Sequence, residues 1–422
     1  MSDRRSVHSL SFLSAAALLF AGCHGSTLAT AAGPNPSARA GIAGAGDSAA
    51  SKLPDVATVT TASHTPTAAS PSPVSPESTF GHLVAKLSEP GGFFQSENVV
   101  SNETSYLLVM DAMRRLDIHG GAYIGVGPDQ NFSYIAAVKP EIAFMFDIRR
   151  DNLLEHLMFK AIFAMTRDRV EYLSTLLAKP APSNPDSWRD SSVSALMTYI
   201  DRTPTSTDIA VKTQQEIDRR VAAFGVPLDD QDIGVVHQYR AAFVRDGLDV
   251  QYSSIDNSPA RGMPGWRDLL VETDRSGHQL NYFASEDAFQ YIKSMEARNL
   301  IVPVTGNVAG PIALPAVARE IAGRGLKVSV FYMSNVEQYL MQNATFPVFA
   351  ENVKKLPRDS KSVFIRSIFG TSGAYRYSPH PLSVAGYNST QILQYIDTFV
   401  TEWDAGQIVT YQDLTSMGWI GP

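Results

Sequence analysis

The sequence predicts an α/β protein: a doubly wound, mostly parallel sheet with a helical insertion. Three observations predict it. Short apolar runs of strand length alternate with stretches of helical spacing through most of residues 79–422. The first run, Ala122-Tyr123-Ile124, leads into Gly125-Val126-Gly127-Pro128, a turn in which two residues lack side chains and after which a helix can start. The next run, residues 142–146, closes in Asp147. That acid stands about twenty residues past the glycine turn, where a nucleotide-binding βαβ unit places the group that holds a ribose hydroxyl.

The N-terminus stands outside this pattern. Arg4 and Arg5 precede an apolar stretch over residues 10–22, too short to span a bilayer, so residues 1–22 read as a secretory signal. Its end, Leu18-Leu19-Phe20-Ala21-Gly22-Cys23, resembles the lipobox of bacterial lipoproteins, with Phe20 where that pattern prefers Leu. The resemblance implies cleavage before Cys23, a lipid on its sulfur, and a protein held in the cell envelope with the membrane as partner. His24 after the anchor, in place of Asp, leans towards the outer membrane. Cys23 is the only cysteine, which suits an anchor and leaves residues 79–422 without a disulfide, thiolate site or cysteine nucleophile. Residues 23–78 are Ala, Ser, Thr, Gly and Pro with few charges, too apolar-poor to order themselves. As a flexible tether they would average roughly 40 Å end to end.

Within 79–422, residues 103–116 show helical spacing, with Ser101 or Asn102 placed to cap. A short helix is expected over 132–138 and a deeply buried one over 153–165. Residues 166–246 read as a helical insertion between the second and third strands, with a proline-rich loop at 179–185 and amphipathic helices at 208–224 and 231–245. Then come a strand at 250–254, a loop at 261–277, a helix at 285–297 with acids in its first turn, and a strand at 300–305. A helix over 311–324 has Pro near its start and Gly325 after its end. A strand at 328–332, a helix at 348–356, a strand at 362–368 and a helix at 392–403 complete the reading.

Net charge is −7, so a polyanion partner such as nucleic acid is not expected. In a doubly wound sheet, small-molecule ligands bind at the carboxyl ends of strands. Four candidate strand ends carry polar, turn-forming residues. The ligand-binding candidates are therefore Gly125, Gly127, Pro128, Asp129, Gln130, Asn131, Asp147, Ile148, Arg149, Asn307 and Asn335. Arg149 and Arg150 suit either a phosphate or carboxylate or a salt bridge to Asp147, Asp151 or Glu155. Asp147 with Arg149 also admits a dinucleotide, but the turn reads GVGPDQ, not GxGxxG. Tyr332, Asn335, Glu337 and Gln338 could orient a polar substrate, or Asn335 could cap a helix. Asn102 and Glu103 could face the same pocket. There is no HExxH or close HxH pair, so no metal is expected; no GxSxG elbow, with Gly370-Thr371-Ser372-Gly373 lacking its spacing; and no Walker sequence.

Strand, GVG, helix, strand and acid together look like the core of class I S-adenosylmethionine-dependent methyltransferases. The resemblance implies that Gly125 and Gly127 pass under the methionine part of that cofactor and that Asp147 holds its ribose hydroxyls. The segments GVGPDQNFSYI, FDIRRDN, NLIVPVTGNVAGP and FYMSNVEQYL further resemble an uncharacterised group of bacterial proteins described as methyltransferase-like. This sequence departs from the pattern at Tyr123, where an acid is usual, and at Asp129, in place of a third glycine. That carboxylate would either clash with the cofactor carboxylate or bind its ammonium. No Asn-Pro-Pro-Tyr motif is present. The expected function is a membrane-tethered lipoprotein whose methyltransferase-like domain binds a small polar or nucleotide-type ligand. An active S-adenosylmethionine-dependent methyltransferase and a non-catalytic surface interaction protein are the alternatives.

Overall fold

Residues 122–126 are buried on both sides of the chain, as are nearly all of the residues in the strand that follows. A strand apolar on both faces needs cover on both, which a parallel sheet between helices provides. In the computed structural model, residues 76–253, 255, 262–369 and 380–421 are described. Cys23, the signal, residues 23–75 and the Gly370–Gly373 segment lie outside them.

The chain runs α1 (Pro76–Leu87), a 3-10 turn (Tyr106–Val109), α2 (Met110–Arg115), β1 (Ala122–Val126), α3 (Gln130–Val138), β2 (Ile142–Asp147), α4 (Arg150–Met165) and α5 (Arg169–Leu176). Helices α6 (Val193–Arg202), α7 (Thr207–Ala223), α8 (Asp230–Asp246), α9 (Trp266–Val271) and α10 (Glu286–Ala297) precede β3 (Ile301–Thr305). Then come α11 (Ala313–Gly323), β4 (Val328–Ser334), α12 (Val336–Gln342), α13 (Phe346–Lys354), β5 (Val363–Phe369), β6 (Ser389–Tyr395), α14 (Ile396–Asp404), α15 (Tyr411–Ser416) and β7 (Trp419–Ile420).

The seven strands form one sheet in the order β3-β2-β1-β4-β5-β6-β7. The first five are parallel; β6 runs antiparallel to β5, and β7 antiparallel to β6. The chain leaves β1 outward through β2 and β3, then returns to the other side of β1 with β4. This reversal opens a crevice between the carboxyl ends of β1 and β4. Pro303 sits inside β3 without penalty because β3 is the sheet edge.

Helix α3 packs on β1 and β4, α4 on β2 and β3, and α10 on α3 and α4. Aromatic rings knit that layer: the Phe132 centroid lies 5.3 Å from Tyr282 and 5.6 Å from Phe163, both edge-on. Helix α8 docks on α4. Arg150 forks onto Asp232 at 2.8 and 2.7 Å, and Asp232 closes a capping box with Asp229 at the start of α8.

Five expectations differ. Of the strand expected over 250–254, the described residues 250–253 form none: Val250 and Tyr252 give their carbonyls singly to Trp266 and Val99, so no ladder forms. The expected loop at 261–277 contains α9, started by Gly265 N–H on the Asp268 carboxylate at 2.9 Å. The expected helix over 392–403 begins at Ile396, because Ser389–Tyr395 pairs with β5 along its whole length. Residues 76–78, read as tether, belong to α1, and the helix expected from 103 starts at Tyr106.

Candidate ligand-binding site

The carboxyl ends of β1 to β5 open on a single cavity of about 910 Å3. Val126, Asp147, Ser334 and Phe369 reach it from the ends of β1, β2, β4 and β5, and Asn307 from just beyond β3. Residues 88–98 form a strap across the opening. Glu89 N–H bonds the Thr305 carbonyl at 2.9 Å and Gly92 N–H the Ile148 carbonyl at 2.7 Å. Phe94 then meets Tyr339 of α12 edge-on at 5.1 Å, roofing the space from the far side.

The expected residues divide into two sets. Gly127, Pro128, Asp147, Ile148, Asn307 and Asn335 line the cavity. Gly127 has φ +83°, a conformation that favours glycine, and nothing lies within 4 Å of where its Cβ would stand. Asp147 is at the rim of the same space. Its Oδ1 accepts the Arg149 N–H at 2.8 Å, and burial raises its pKa above the ordinary carboxylate range against the pull of Arg149. Asn335 occupies the start of α12, yet its side chain makes no capping bond; the Ser334 hydroxyl reaches it at 3.5 Å. Ser334 itself holds φ +51°, left-handed backbone at the end of a strand beside the site.

Gly125, Asp129, Gln130, Asn131 and Arg149 do not line the cavity. A Cβ on Gly125 would lie 1.9 Å from Asn131 Oδ1, so this glycine serves internal packing and not ligand approach. Asn131 staples the turn: its amide donates to the Val126 and Pro128 carbonyls at 2.9 and 2.8 Å, and its oxygen accepts from the Tyr123 hydroxyl at 2.7 Å. Asp129 turns into the core, where one oxygen takes Trp266 Nε1–H and Tyr282 O–H, each at 2.9 Å. Burial raises its pKa to about 6. It is therefore placed neither to clash with a cofactor nor to bind its ammonium. Arg149 lies against Asp147 and Asp151 at 3.8 and 3.5 Å and donates to the Glu97 carbonyl and the Tyr239 hydroxyl. Arg150 holds α8. Both guanidiniums are spent on salt bridges: Arg149 takes Asp147 and Asp151 as the salt-bridge alternative had it, while Arg150 takes Asp232 instead.

Glu103 stands at the cavity floor, 1 % exposed. Its carboxylate accepts from the Ser334 hydroxyl, from Gln130 Nε2 at 3.2 Å and from Gln391 Nε2 at 2.5 Å. Tyr332 lines the wall beside it and shares Gln130 at 3.2 Å. Glu337 is not in the cavity: it forms a buried fork with Arg366 at 2.7 and 3.0 Å.

The electrostatics follow from this arrangement. Among the described lining residues the charged groups are Asp147 and Glu103, both acids. The amides near the start of α11, which elsewhere could greet an anion, are occupied by Glu89, which accepts from Asn307 N–H at 2.8 Å and Ala313 N–H at 3.3 Å. The site suits a neutral or cationic ligand with hydroxyl groups better than a phosphate ester.

The strap was missed from sequence. Its signal was Phe93-Phe94 in a Gly- and Ser-rich stretch with no periodicity, two aromatics without a core position to explain them; Phe93 is 87 % exposed. Tyr252, Met263, Phe369 and Tyr411 come to the cavity from segments far apart in sequence and carried no local signal.

A family described as a domain of unknown function (DUF7790) matches residues 98–183 and 249–404. The chain belongs to this family. The matched segments carry β1 to β6, the glycine turn, Glu103 and Asp147, and so most of the cavity. The unmatched middle, residues 184–248, carries α6 to α8. No curated protein matches the chain.

Proposed function

We propose that this DUF7790 domain binds S-adenosylmethionine or a closely similar cationic nucleoside in a Rossmann-type site of methyltransferase kind. We further propose that the domain is carried in the cell envelope on a lipid at Cys23. The observation that carries the reading is the meeting of Gly127 and Asp147 across one cavity whose charged lining groups are both acidic. The order β3-β2-β1-β4-β5 is the winding used by nucleotide-binding sheets, and the site lies at the reversal. A volume of about 910 Å3 falls within the usual range for small-molecule sites.

The fit with S-adenosylmethionine rests on charge and donors. Its sulfonium and ammonium outweigh its one carboxylate, so an acidic cavity attracts it, where the phosphates of a dinucleotide would be repelled. Asp147 would hold the ribose hydroxyls with the oxygen that Arg149 leaves free, and the bare face of Gly127 would let the ligand approach the backbone. When bound, the cofactor supplies an activated methyl group; the chain's part is to bind and orient it and to exclude water beneath the strap. An envelope location requires supply on that side of the membrane, since the charges of such a molecule do not cross a bilayer unaided.

Isothermal titration of the full chain with S-adenosylmethionine tests the reading. Saturable heat is expected, with affinity at least ten-fold weaker in Asp147→Ala. Absence of heat with the wild-type chain removes the cofactor from the reading.

A further inference from the structure

We propose that Glu103 and its neighbours form a separate subsite, on the β4 side of the cavity, for an organic ammonium group. Glu103 is almost fully buried, and the partners of its carboxylate are neutral: Ser334, Gln130, Gln391 and the Tyr332 hydroxyl. Among the described residues no Lys, Arg or His forms an ion pair with it. A buried carboxylate without a counter-charge is costly, and a cation arriving from the cavity would remove that cost.

Gln130, behind the lining, holds Glu103 without neutralising it. Its Oε1 is buried and has no hydrogen-bond partner, while its amide nitrogen is engaged with Glu103, Tyr134 and Tyr332. The complement that the cavity can bring to Glu103 is a cation with N–H donors, which describes a primary or secondary ammonium; Gln130 stands behind the lining and acts only by holding the carboxylate. The wall is aromatic: Tyr332 borders Glu103, and Tyr411, whose hydroxyl rests on the Ser367 carbonyl at 3.0 Å, stands where Ser367 and Glu103 share Gln391. Such rings favour an alkylammonium through cation–π attraction.

The subsite is distinct from the Asp147 end. Asp147 closes β2 and Glu103 bonds Ser334 at the end of β4, two strand spacings away, or roughly 10 Å. A hydroxyl-bearing ligand on Asp147 thus leaves Glu103 available to a second group. Read with the function proposed above, on which this last step alone rests, the second substrate is an amine.

Saturation-transfer NMR on the full chain tests this with three probes of one shape: benzylammonium, benzyl alcohol and benzoate. Benzylammonium is expected to bind saturably, at least ten-fold tighter than benzyl alcohol, with benzoate failing to bind. Glu103→Gln, checked for folding by its thermal transition, loses at least ten-fold in benzylammonium affinity, and Asp147→Asn does not. Equal binding of benzoate and benzylammonium by the wild-type chain overturns the proposal, whether or not any variant folds. So does unchanged benzylammonium affinity in folded Glu103→Gln. Benzylammonium binding in a chain that gives no heat with S-adenosylmethionine sinks the cofactor reading and supports the subsite.

Discussion

Asn131 fills the space that a side chain on Gly125 would need, its Oδ1 lying 1.9 Å from the missing Cβ. The two glycines of one turn thus do different work. Gly125 makes room for the amide that ties the turn together, and Gly127 presents bare backbone to the cavity.

Substitution separates these roles. Gly125→Ala displaces Asn131 and its three hydrogen bonds, and is expected to cost about 3 kcal/mol of stability. Gly127→Ala meets no atom but carries left-handed strain of about 1–2 kcal/mol, and its methyl intrudes on the cavity. Urea unfolding together with S-adenosylmethionine titration measures both. Gly125→Ala should lose mainly stability, and Gly127→Ala should lose affinity in the folded protein.

Asp129 makes a pH-dependent contribution of definite sign. Its pKa is raised to about 6 from 3.8 by burial, so the folded state holds the proton more tightly than the unfolded state. The stability linked to it is fully present below the unfolded value and is lost as pH rises through about 6, by roughly 3 kcal/mol. In Asp129→Asn one amide oxygen can still accept from both Trp266 and Tyr282, since a single carboxylate oxygen does so now. Unfolding free energies at pH 4.5 and pH 7 should therefore fall less for Asp129→Asn than for wild type. Equal slopes would show that the carboxylate is not buried as described.

Glu337 and Arg366 form a fully buried pair, with the guanidinium also 4.1 Å from the Phe364 ring centroid. Removing one partner leaves a charge in the core, so Glu337→Gln and Arg366→Met are each expected to destabilise by about 3–5 kcal/mol. The double variant Glu337→Leu/Arg366→Met should recover part of that loss. Denaturant midpoints decide this, and a mild single-variant effect would return Glu337 to the list of ligand-facing groups.

The anchor is tested in cells. The wild-type chain should incorporate labelled palmitate, and globomycin should cause a longer precursor to accumulate. Cys23→Ser should take up no label. An unlabelled wild-type chain of unprocessed length would rule out lipidation.

The sequence by itself determined the strand–turn–helix–strand core and the acid that ends β2. Short apolar runs alternating with stretches of helical spacing predict strands covered by helices, and the acid that ends the second run follows from its place in the chain. It also placed Asn307 and Asn335, because residues that follow parallel strands share one edge of the sheet. It could not decide which way a polar side chain turns. Asp129 closes the turn and Gln130 and Asn131 open α3, yet their partners are Trp266 of α9, Tyr282, Glu103 and Tyr123 of β1, most of which only the folded chain brings within reach. Residues 392–395 read from sequence as the start of a helix, and become strand because β5 offers them an edge to pair with. The sequence allowed Asn102 and Glu103 to face the pocket, and both line it; tertiary structure decided the partners of Glu103, which come from β4, α3 and β6, segments as much as 288 residues distant along the chain. Local pattern records which faces are apolar; only the folded chain decides which polar atoms meet.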